Sequence, residues 1–218
     1  MLQPVIAIDG PAASGKSTVA KMVAAKVGFV YVDTGAMYRA FAWVANEHSI
    51  SPTDRSAVKA LLKKIDFQAT VENGQLQLRI DGADPTSHIR DSKVNQTVSP
   101  LSALPELREY LVIKQRMLRV DHPMVVEGRD IGTVVFPDTP HKFFIDADPE
   151  VRAQRRQNQG QSDQTKERDR QDRGREVAPL ICAADAETID SGKLNAEQIA
   201  DHIVSKSKAQ GLHPKSGV

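Results

Sequence analysis

The most specific chemical signal in the sequence is a glycine-rich segment near its start. Residues 10–17 read G-P-A-A-S-G-K-S, which matches the G-x-x-x-x-G-K-[ST] spacing of a phosphate-binding P-loop. In such a loop, glycines let backbone N–H groups approach phosphate oxygens, and the helix that follows adds partial positive charge. We therefore predict a nucleoside triphosphate site, whose residues are Gly10, Pro11, Ala12, Ala13, Ser14, Gly15, Lys16, Ser17 and Thr18.

Two side chains of this loop carry chemistry of their own. The Lys16 ammonium would contact the β- and γ-phosphate oxygens, and the Ser17 hydroxyl is a ligand type for Mg²⁺. We therefore expect ATP as donor and Mg²⁺ as cofactor. The motif alone leaves a kinase, a GTPase switch and an ATP-driven motor open. The sequence has no Asn-Lys-x-Asp for guanine and no apolar strand that ends in Asp-Glu, which favours the kinase.

Two further segments place arginine and carboxylate side chains directly after predicted strands. Residues 33–39 read D-T-G-A-M-Y-R, and residues 127–130 read E-G-R-D. Loops at the carboxyl ends of parallel strands face the ligand crevice, where a guanidinium can hold a phosphate with two parallel hydrogen bonds. Spacing does not decide whether Glu127 or Asp130 assists Mg²⁺. The candidate acceptor-binding residues from these segments are Asp33, Thr34, Tyr38, Arg39, Arg129 and Asp130.

Basic charge is concentrated between residues 152 and 175. Arg152, Arg155 and Arg156 have the spacing of one helix face, and Arg168, Asp172 and Arg175 have the spacing of another. A solvated helix pair or an RNA-binding stripe would give the same pattern. Because a P-loop and two arginine sites accompany it, we interpret the run as a flap that closes over phosphates and neutralises their charge.

Strands and helices that could position these residues alternate along the chain. Apolar runs predict strands at 5–9, 29–33, 123–127, 141–146 and 187–190, and helical spacing follows most of them. Alternation of this kind predicts an α/β fold, here a P-loop NTPase three-layer fold with a parallel sheet. Period-2 alternation around Asn73-Gly74 predicts a small antiparallel β insertion.

We expect one P-loop kinase domain over 1–218. Its parts would be an insertion that binds the nucleoside monophosphate at 66–98, a lid region at 152–168 and a disordered tail at 208–218. Thr34 is the expected N-cap of the helix after the second strand.

Composition narrows the class of protein further. The 218 residues carry a net charge of +1, 40% hydrophobic and 26% charged residues, which is typical of a globular domain and not of a nucleic-acid or membrane binder. A lone cysteine, Cys182, excludes an internal disulfide and favours a reducing, cytoplasmic setting. The N-terminal residues lack the pattern of a signal peptide. We expect a monomer.

Taken together, the segments resemble bacterial cytidylate kinase, a family of P-loop nucleoside monophosphate kinases. The resemblance is carried by I-D-G-P…G-K-S-T at the P-loop, D-T-G-A-M-Y-R at 33–39, E-G-R-D-I-G-T-V-V-F-P-D at 127–138, R-A-Q-R-R at 152–156 and the Arg168, Asp172, Arg175 spacing. It implies a five-stranded parallel core and a three-stranded antiparallel insertion. It also implies transfer of the ATP γ-phosphoryl group to CMP or dCMP.

The resemblance also implies roles for individual residues. The expected contacts to the acceptor phosphate are made by Thr34, Arg39, Arg108 and Arg129. Those to cytosine or its sugar are made by Ser99, Arg129, Asp130, Arg168 and Asp172. The expected phosphate-transfer clamp consists of Arg152, Arg156 and Arg175, and Lys16 and Arg129 complete the expected catalytic residues. The rival interpretations are a P-loop kinase for AMP, UMP, shikimate or gluconate, and a nucleotide-binding regulator or RNA-binding module without turnover.

Overall fold

The computed structural model describes residues 2–158, 165–175 and 177–213. These residues form two compact units. The first combines Met1–Val32 with Arg119–Val218, and the second is Asp33–Leu118. The second unit contains the whole predicted insertion at 66–98 and extends well beyond it on both sides. None of the helices in the described ranges has the length and apolar character that a bilayer crossing requires.

The first unit is built on a parallel sheet. Its strands are β1 (Val5–Asp9), β2 (Val30–Asp33), β5 (Met124–Gly128), β6 (His141–Asp146) and β7 (Glu187–Asp190). They follow the order β2-β5-β1-β6-β7, and β1 pairs in parallel with both β5 and β6. β1 and β5 are buried along their whole length, as expected of strands covered on both faces. The carboxyl ends of these strands therefore lead directly into the segments singled out above.

Within the described residues, the first unit also contains four α-helices. They are α1 (Lys16–Val27), α6 (Pro149–Asn158), α7 (Thr165–Arg173) and α8 (Ala196–Ala209), with a short π-helical turn at Ile131–Val135. Apolar residues of α1 and α8, such as Val23 and Ile203, share one core with Ile8 and Phe143 of the sheet. α8 starts at a capping box in which the Asn195 and Gln198 side chains each bind the backbone of the other residue.

The second unit is mainly helical around one hairpin. Its elements are α2 (Thr34–Glu47), α3 (Arg55–Lys64), β3 (Phe67–Glu72), β4 (Gln75–Ile80), α4 (Ser92–Ser102) and α5 (Pro105–Leu118). β3 and β4 pair in antiparallel register across the turn at Asn73-Gly74, both of which have positive φ. Phe41, Phe67 and Leu107 are among the fully buried residues of its separate core.

The fold confirms the predicted α/β class and corrects its details. The strand count is seven and not five, because the hairpin contributes two strands of its own. The expected third strand of the insertion is wrong: after β4 there is only an isolated bridge between Ile80 and Ala83.

Helix boundaries give further corrections. Asp33 rather than Thr34 is the N-cap of α2, since its carboxylate accepts the Ala36 N–H at 3.0 Å. α8 continues to Ala209 and Leu212 is buried, past the expected start of the disordered tail at Lys208. The rest of that tail, 214–218, and residues 159–164 of the predicted lid region lie outside the described residues.

Candidate functional site

The phosphate loop connects β1 to α1 and needs glycine at both ends. Gly10 has φ of +155°, and a Cβ there would lie 2.1 Å from the carbonyl oxygen of Ile145 on β6. Gly15, the residue before α1, has φ of +87°. Side chains are strongly disfavoured at both positions, by the close approach of a neighbouring strand at the first and by the left-handed backbone at the second. The motif therefore has the strand–loop–helix context that a P-loop requires.

Lys16, the expected phosphate-binding cation, is buried within the P-loop. Its side chain is only 7% exposed, and Nζ donates to the carbonyl oxygen of Pro11 at 3.0 Å. Such burial keeps a single ammonium group within a cradle of backbone amides at the N-terminus of α1. A cation and a helix N-terminus in the same place favour a polyanion.

Two charged residues from α6 and α7 meet the loop at Ala12. Arg152, 4% exposed, donates to the Ala12 carbonyl oxygen at 3.2 Å and forms an ion pair with Asp169. Asp169 in turn accepts the Ala12 N–H at 3.4 Å. The structure thus brings Arg152, predicted as part of the phosphate-transfer clamp, to the P-loop. Asp169 was not predicted as a site residue, because one acidic residue in a charge run carries no distinguishing signal.

A second cluster joins the loop after β5 to the end of α7. Asp172 is 4% exposed, and its two carboxylate oxygens accept hydrogen bonds from different arginines: Arg129 Nε at 2.7 Å and Arg175 Nη2. Burial alone would raise the pKa of Asp172, but the charges of Arg129 and Arg175 outweigh it and hold that pKa below its usual value. The structure brings together three residues that the sequence predicted from two separate segments.

The charge of the Lys16 ammonium acts on two buried carboxylates, Asp172 and Asp9. The Lys16 charge contributes to the lowered pKa of Asp172, after the larger effects of Arg129 and Arg175. It also acts against the burial that raises the pKa of Asp9. Electrostatic effects of this kind require proximity. Within the first unit, the P-loop cation and the Arg129–Asp172–Arg175 cluster therefore belong to one electrostatic site.

The two carboxylates of the E-G-R-D segment are both buried. Glu127, 3% exposed, accepts the Tyr31 hydroxyl at 2.6 Å. Asp130, 5% exposed, precedes the π-helical turn, and its carbonyl oxygen accepts the Val134 N–H at 2.8 Å. The Tyr31 hydroxyl fixes one carboxylate oxygen of Glu127, and the Asp130 contact involves its backbone alone, so the geometry does not choose between them as the partner of Mg²⁺.

Ser17 is the loop residue with the chemistry of a metal ligand. It lies in the first turn of α1, its side chain is exposed, and its hydroxyl makes no hydrogen bond to any described residue. An exposed hydroxyl beside the loop lysine fits the donor that Mg²⁺ takes from a P-loop. Among the described residues, no cluster of three or more His, Cys, Asp or Glu side chains forms a metal site by itself.

Candidate residues of the second unit lie at the start of α2. Asp33 uses one carboxylate oxygen to cap α2 and the other to bind Arg39 Nη2 at 2.8 Å. Thr34, the first residue of the helix, is 4% exposed. The Arg39 side chain retains 24% exposure. The pair therefore presents a guanidinium that is held in place on one side and still accessible.

A second candidate group in this unit surrounds Arg108 on α5. Arg108 is 3% exposed, donates to the Ser102 carbonyl oxygen at 3.0 Å, and stacks over the Tyr38 ring at 5.5 Å. The Ser102 hydroxyl donates to the Ser99 carbonyl oxygen at 2.9 Å. Arg108, Tyr38 and Ser99 were predicted separately, and the structure joins them through Ser102 and α4, a helix that the sequence analysis did not predict.

Arg156 and Arg168, two other predicted flap residues, lie in α6 and α7. Arg156 is half-buried on α6. The backbone of Arg168 lies in α7, but its side chain lies outside what the structure describes.

Asp9 is a further buried polar residue that the sequence analysis did not name as a site residue. It ends β1, is 5% exposed, and accepts the N–H groups of Ile131 and Gly132, each at 2.8 Å. Burial raises its pKa to about 7, although both hydrogen bonds and the Lys16 charge act in the opposite direction. An acid at the end of an apolar strand resembles any strand terminus, so its role could not be inferred from pattern. In the structure, it ties the P-loop strand to the turn after Arg129 and Asp130.

The raised pKa of Asp9 makes stability depend on pH in a defined direction. Between pH 3.8 and about 7, the folded chain binds a proton at Asp9 that the unfolded chain releases, so the unfolding free energy falls as pH rises through this window. Asp9→Asn removes this contribution, which has a slope of at most about 1.4 kcal/mol per pH unit. Urea denaturation of both proteins across the window measures it. Parallel pH profiles for the two would contradict the raised pKa.

Comparisons of the sequence with a family model and with curated proteins give one family. The sequence model of the family described as Cytidylate kinase matches residues 6–209. A cytidylate kinase from Marinomonas sp. (strain MWYL1) is 39% identical over 221 residues, and the alignment covers 96% of this chain and 97% of that protein.

Some relatives are more than twice as long as this chain. The bifunctional pantoate ligase/cytidylate kinase of Prochlorococcus marinus (strain MIT 9303) is 40% identical over 221 residues, but this chain spans only 45% of its length. Among solved structures, a shikimate kinase from Acinetobacter baumannii in complex with shikimate aligns with 96% of each chain at 13% identity and a TM-score of 0.48.

Proposed function

Because this chain belongs to the cytidylate kinase family, we propose that it transfers the γ-phosphoryl group of ATP to CMP or dCMP, giving CDP or dCDP. The observation that carries the proposal is the arrangement within the first unit: a P-loop with a buried lysine, and an Arg129–Asp172–Arg175 cluster within electrostatic reach of that lysine. A donor polyanion and arginines that can neutralise transferred charge are the two requirements of phosphoryl transfer.

The donor would bind at the P-loop. N–H groups of the loop after Ala12 and the start of α1 provide the anion site, and Lys16 provides a cation already desolvated beside it. Desolvation strengthens the attraction between the ammonium and phosphate oxygens, because the effective dielectric constant there is lower than in water.

Mg²⁺ fits the residues present. Ser17 would hold the ion, with Glu127 or Asp130 acting on it directly or through water. When bound with ATP, the ion would neutralise charge on the phosphate oxygens.

The acceptor roles follow from the family, residue by residue. Thr34, Arg39, Arg108 and Arg129 are proposed to hold the acceptor phosphate, and Ser99, Asp130, Arg168 and Asp172 to contact cytosine or its sugar. The geometry within each unit supports these roles, since Arg39 is fixed by Asp33 and Arg129 by Asp172. Guanidiniums held in this way lose little further freedom on binding a phosphate.

The reaction requires positioning rather than a strong base. The phosphate of CMP is already an anion at neutral pH, so one of its oxygens can attack the γ-phosphorus in line, and ADP leaves. Lys16, Arg152, Arg156 and Arg175 are proposed to neutralise the charge on the transferred group, with Arg129 next to the acceptor. No covalent intermediate with the protein is needed.

An acceptor panel tests the proposal. Production of ADP is followed with ATP and, in turn, CMP, dCMP, UMP, AMP, shikimate and gluconate. The proposal predicts the highest kcat/KM for CMP or dCMP. A higher kcat/KM for a different acceptor would show that this acceptor, and not CMP or dCMP, is the substrate. ATP binding without turnover of any acceptor would indicate a nucleotide-binding module instead.

A further inference from the structure

Consecutive carbonyl groups of the P-loop are each held by a side chain from outside the loop or from its end. Residues 11–14 supply the acceptors. The contacts are Lys16 Nζ to Pro11 O at 3.0 Å, Arg152 Nη1 to Ala12 O at 3.2 Å, Arg155 Nη1 to Ala13 O at 3.4 Å, and Ser191 Oγ to Ser14 O at 2.7 Å. Lys16, which begins α1, and Arg152 already have proposed functions at this site. Arg155 was predicted only as part of the flap face, and Ser191 has no proposed function.

Arg155 and Ser191 act as one unit. Arg155 Nη2 donates to the Ser191 carbonyl oxygen at 2.7 Å, and Nη1 donates to the Ser191 hydroxyl at 3.1 Å. Ser191 is 6% exposed and follows β7, and its N–H donates to the Asp146 carbonyl oxygen of β6 at 2.8 Å. The pair is therefore anchored to the ends of two core strands, and it connects α6 to the P-loop.

Holding a carbonyl also sets the direction of the next N–H. A trans peptide unit is planar, so its C=O and N–H bonds point in opposite directions. Fixing the Ala13 and Ser14 carbonyls against Arg155 and Ser191 turns the N–H groups of Ser14 and Gly15 the other way. Those are amides of the segment that a P-loop uses to bind phosphate oxygens.

The backbone at this point needs external support. Ala13 has φ of +59° and Gly15 has φ of +87°, both in the left-handed region. A residue with a Cβ pays roughly 1–2 kcal/mol for that conformation, and such residues persist where surrounding contacts determine them. The contact of Arg155 with the Ala13 carbonyl is a contact of this kind.

We propose that Arg155 and Ser191 are a positioning pair that presets the Ser14 and Gly15 amides for the donor phosphates. That the donor is ATP rests on the kinase function proposed above. The geometry of the Arg155–Ser191 pair is independent of that proposal. Neither residue needs to touch the nucleotide. The pair acts on the site through the loop carbonyls, so it governs affinity for the donor more than affinity for the acceptor.

The test compares Arg155→Ala, Arg155→Lys and Ser191→Ala with a control, Lys193→Ala. Lys193 lies two residues after Ser191, and its side chain is 82% exposed and makes only a surface ion pair with Asp190 among its described contacts. Calorimetric binding of ATP without acceptor gives Kd directly, and steady-state kinetics give KM for each substrate. Because ATP binding needs no turnover, this readout stands whether or not CMP is the acceptor.

We expect Arg155→Ala and Ser191→Ala each to raise Kd for ATP about tenfold, the size of one lost hydrogen bond to a charged or buried partner. The KM for CMP should change less than twofold, and Arg155→Lys should recover part of the ATP affinity. In a variant that carries both Arg155→Ala and Ser191→Ala, the Kd for ATP should rise by less than the product of the two single effects, because both side chains support one loop. Ser191→Ala removes a single oxygen, so it tests the proposal even if Arg155→Ala folds poorly.

Two results would overturn the proposal. The first is a Kd for ATP in folded Ser191→Ala that matches wild type and Lys193→Ala. The second is an equal loss of affinity for ATP and CMP accompanied by a lowered melting temperature, which would make the pair a general structural contact.

Discussion

Lys16→Ala is expected to lower turnover with ATP and CMP at least about a hundredfold, the usual cost of removing one preorganised charge or donor that stabilises transferred phosphate charge. Lys16 is the buried cation of the P-loop, and alanine leaves its backbone contribution to α1 intact. The fold should therefore survive. Initial rates at saturating substrates, with circular dichroism as a check on folding, measure the effect.

The matched control for this variant is Lys21→Ala on the same helix. Lys21 is exposed and its ammonium lies over the Tyr31 ring at 5.4 Å, away from the loop carbonyls. Its loss should leave turnover within about twofold, as expected of a surface substitution. Turnover of folded Lys16→Ala above about a tenth of the wild-type rate would show that the P-loop cation does not carry the chemistry.

Asp172→Ala is expected to reduce kcat/KM for CMP by roughly one to two orders of magnitude, and kcat/KM for ATP much less. Asp172 is the common partner of Arg129 and Arg175, and its removal leaves two partly buried guanidiniums without the group that orients them. Breaking a buried ion pair also costs stability, so rates must be compared at a temperature at which both proteins are fully folded. The split between the two substrates is the informative quantity.

Two comparison variants sharpen the Asp172 experiment. Asp172→Asn keeps the shape and one acceptor oxygen but removes the charge. Its kcat/KM for CMP should therefore lie between those of the wild type and Asp172→Ala. Asp201→Ala removes an exposed carboxylate that pairs with Lys26 on the surface, and should change neither substrate's kinetics. Equal losses of kcat/KM for CMP and for ATP in Asp172→Ala would contradict the proposed contact between Asp172 and the acceptor sugar.

The sequence predicted those parts of the fold that are determined by residues close together in the chain. The hairpin follows from Asn73-Gly74, where both residues adopt the positive φ that this turn requires. α3 (Arg55–Lys64) also begins at a local signal, because the Asp54 side chain accepts the Ala57 N–H. The P-loop could be recognised because its glycines, lysine and serine are close in sequence.

Other local features were ambiguous in sequence. Asp33 and Thr34 are adjacent and both residue types cap helices well, so pattern alone could not choose between them. α4 was missed because Ser92–Ser102 is largely polar and contains Pro100, which usually argues against a helix interior.

Long-range contacts explain what was missed at the site. Asp9 binds amides more than 120 residues away, and Arg155 meets Ser191 across 36 residues. These partners are determined by which strands lie side by side. Arg152, Arg155 and Arg156 were predicted as one face of a flap. In the structure, the first two instead fix two successive P-loop carbonyls, a difference that depends on tertiary packing.

The central claim is that two phosphate-bearing molecules exchange a phosphoryl group directly on this chain. Incubation with CMP and ATP labelled at the γ-phosphate, followed by separation of the nucleotides and the protein, tests it most directly. The account predicts that the label moves to the β-phosphate of CDP, that none remains bound to the protein, and that transfer is nearly abolished in Lys16→Ala. Label released as inorganic phosphate at the same rate with and without CMP, or label held covalently by the protein, would contradict it.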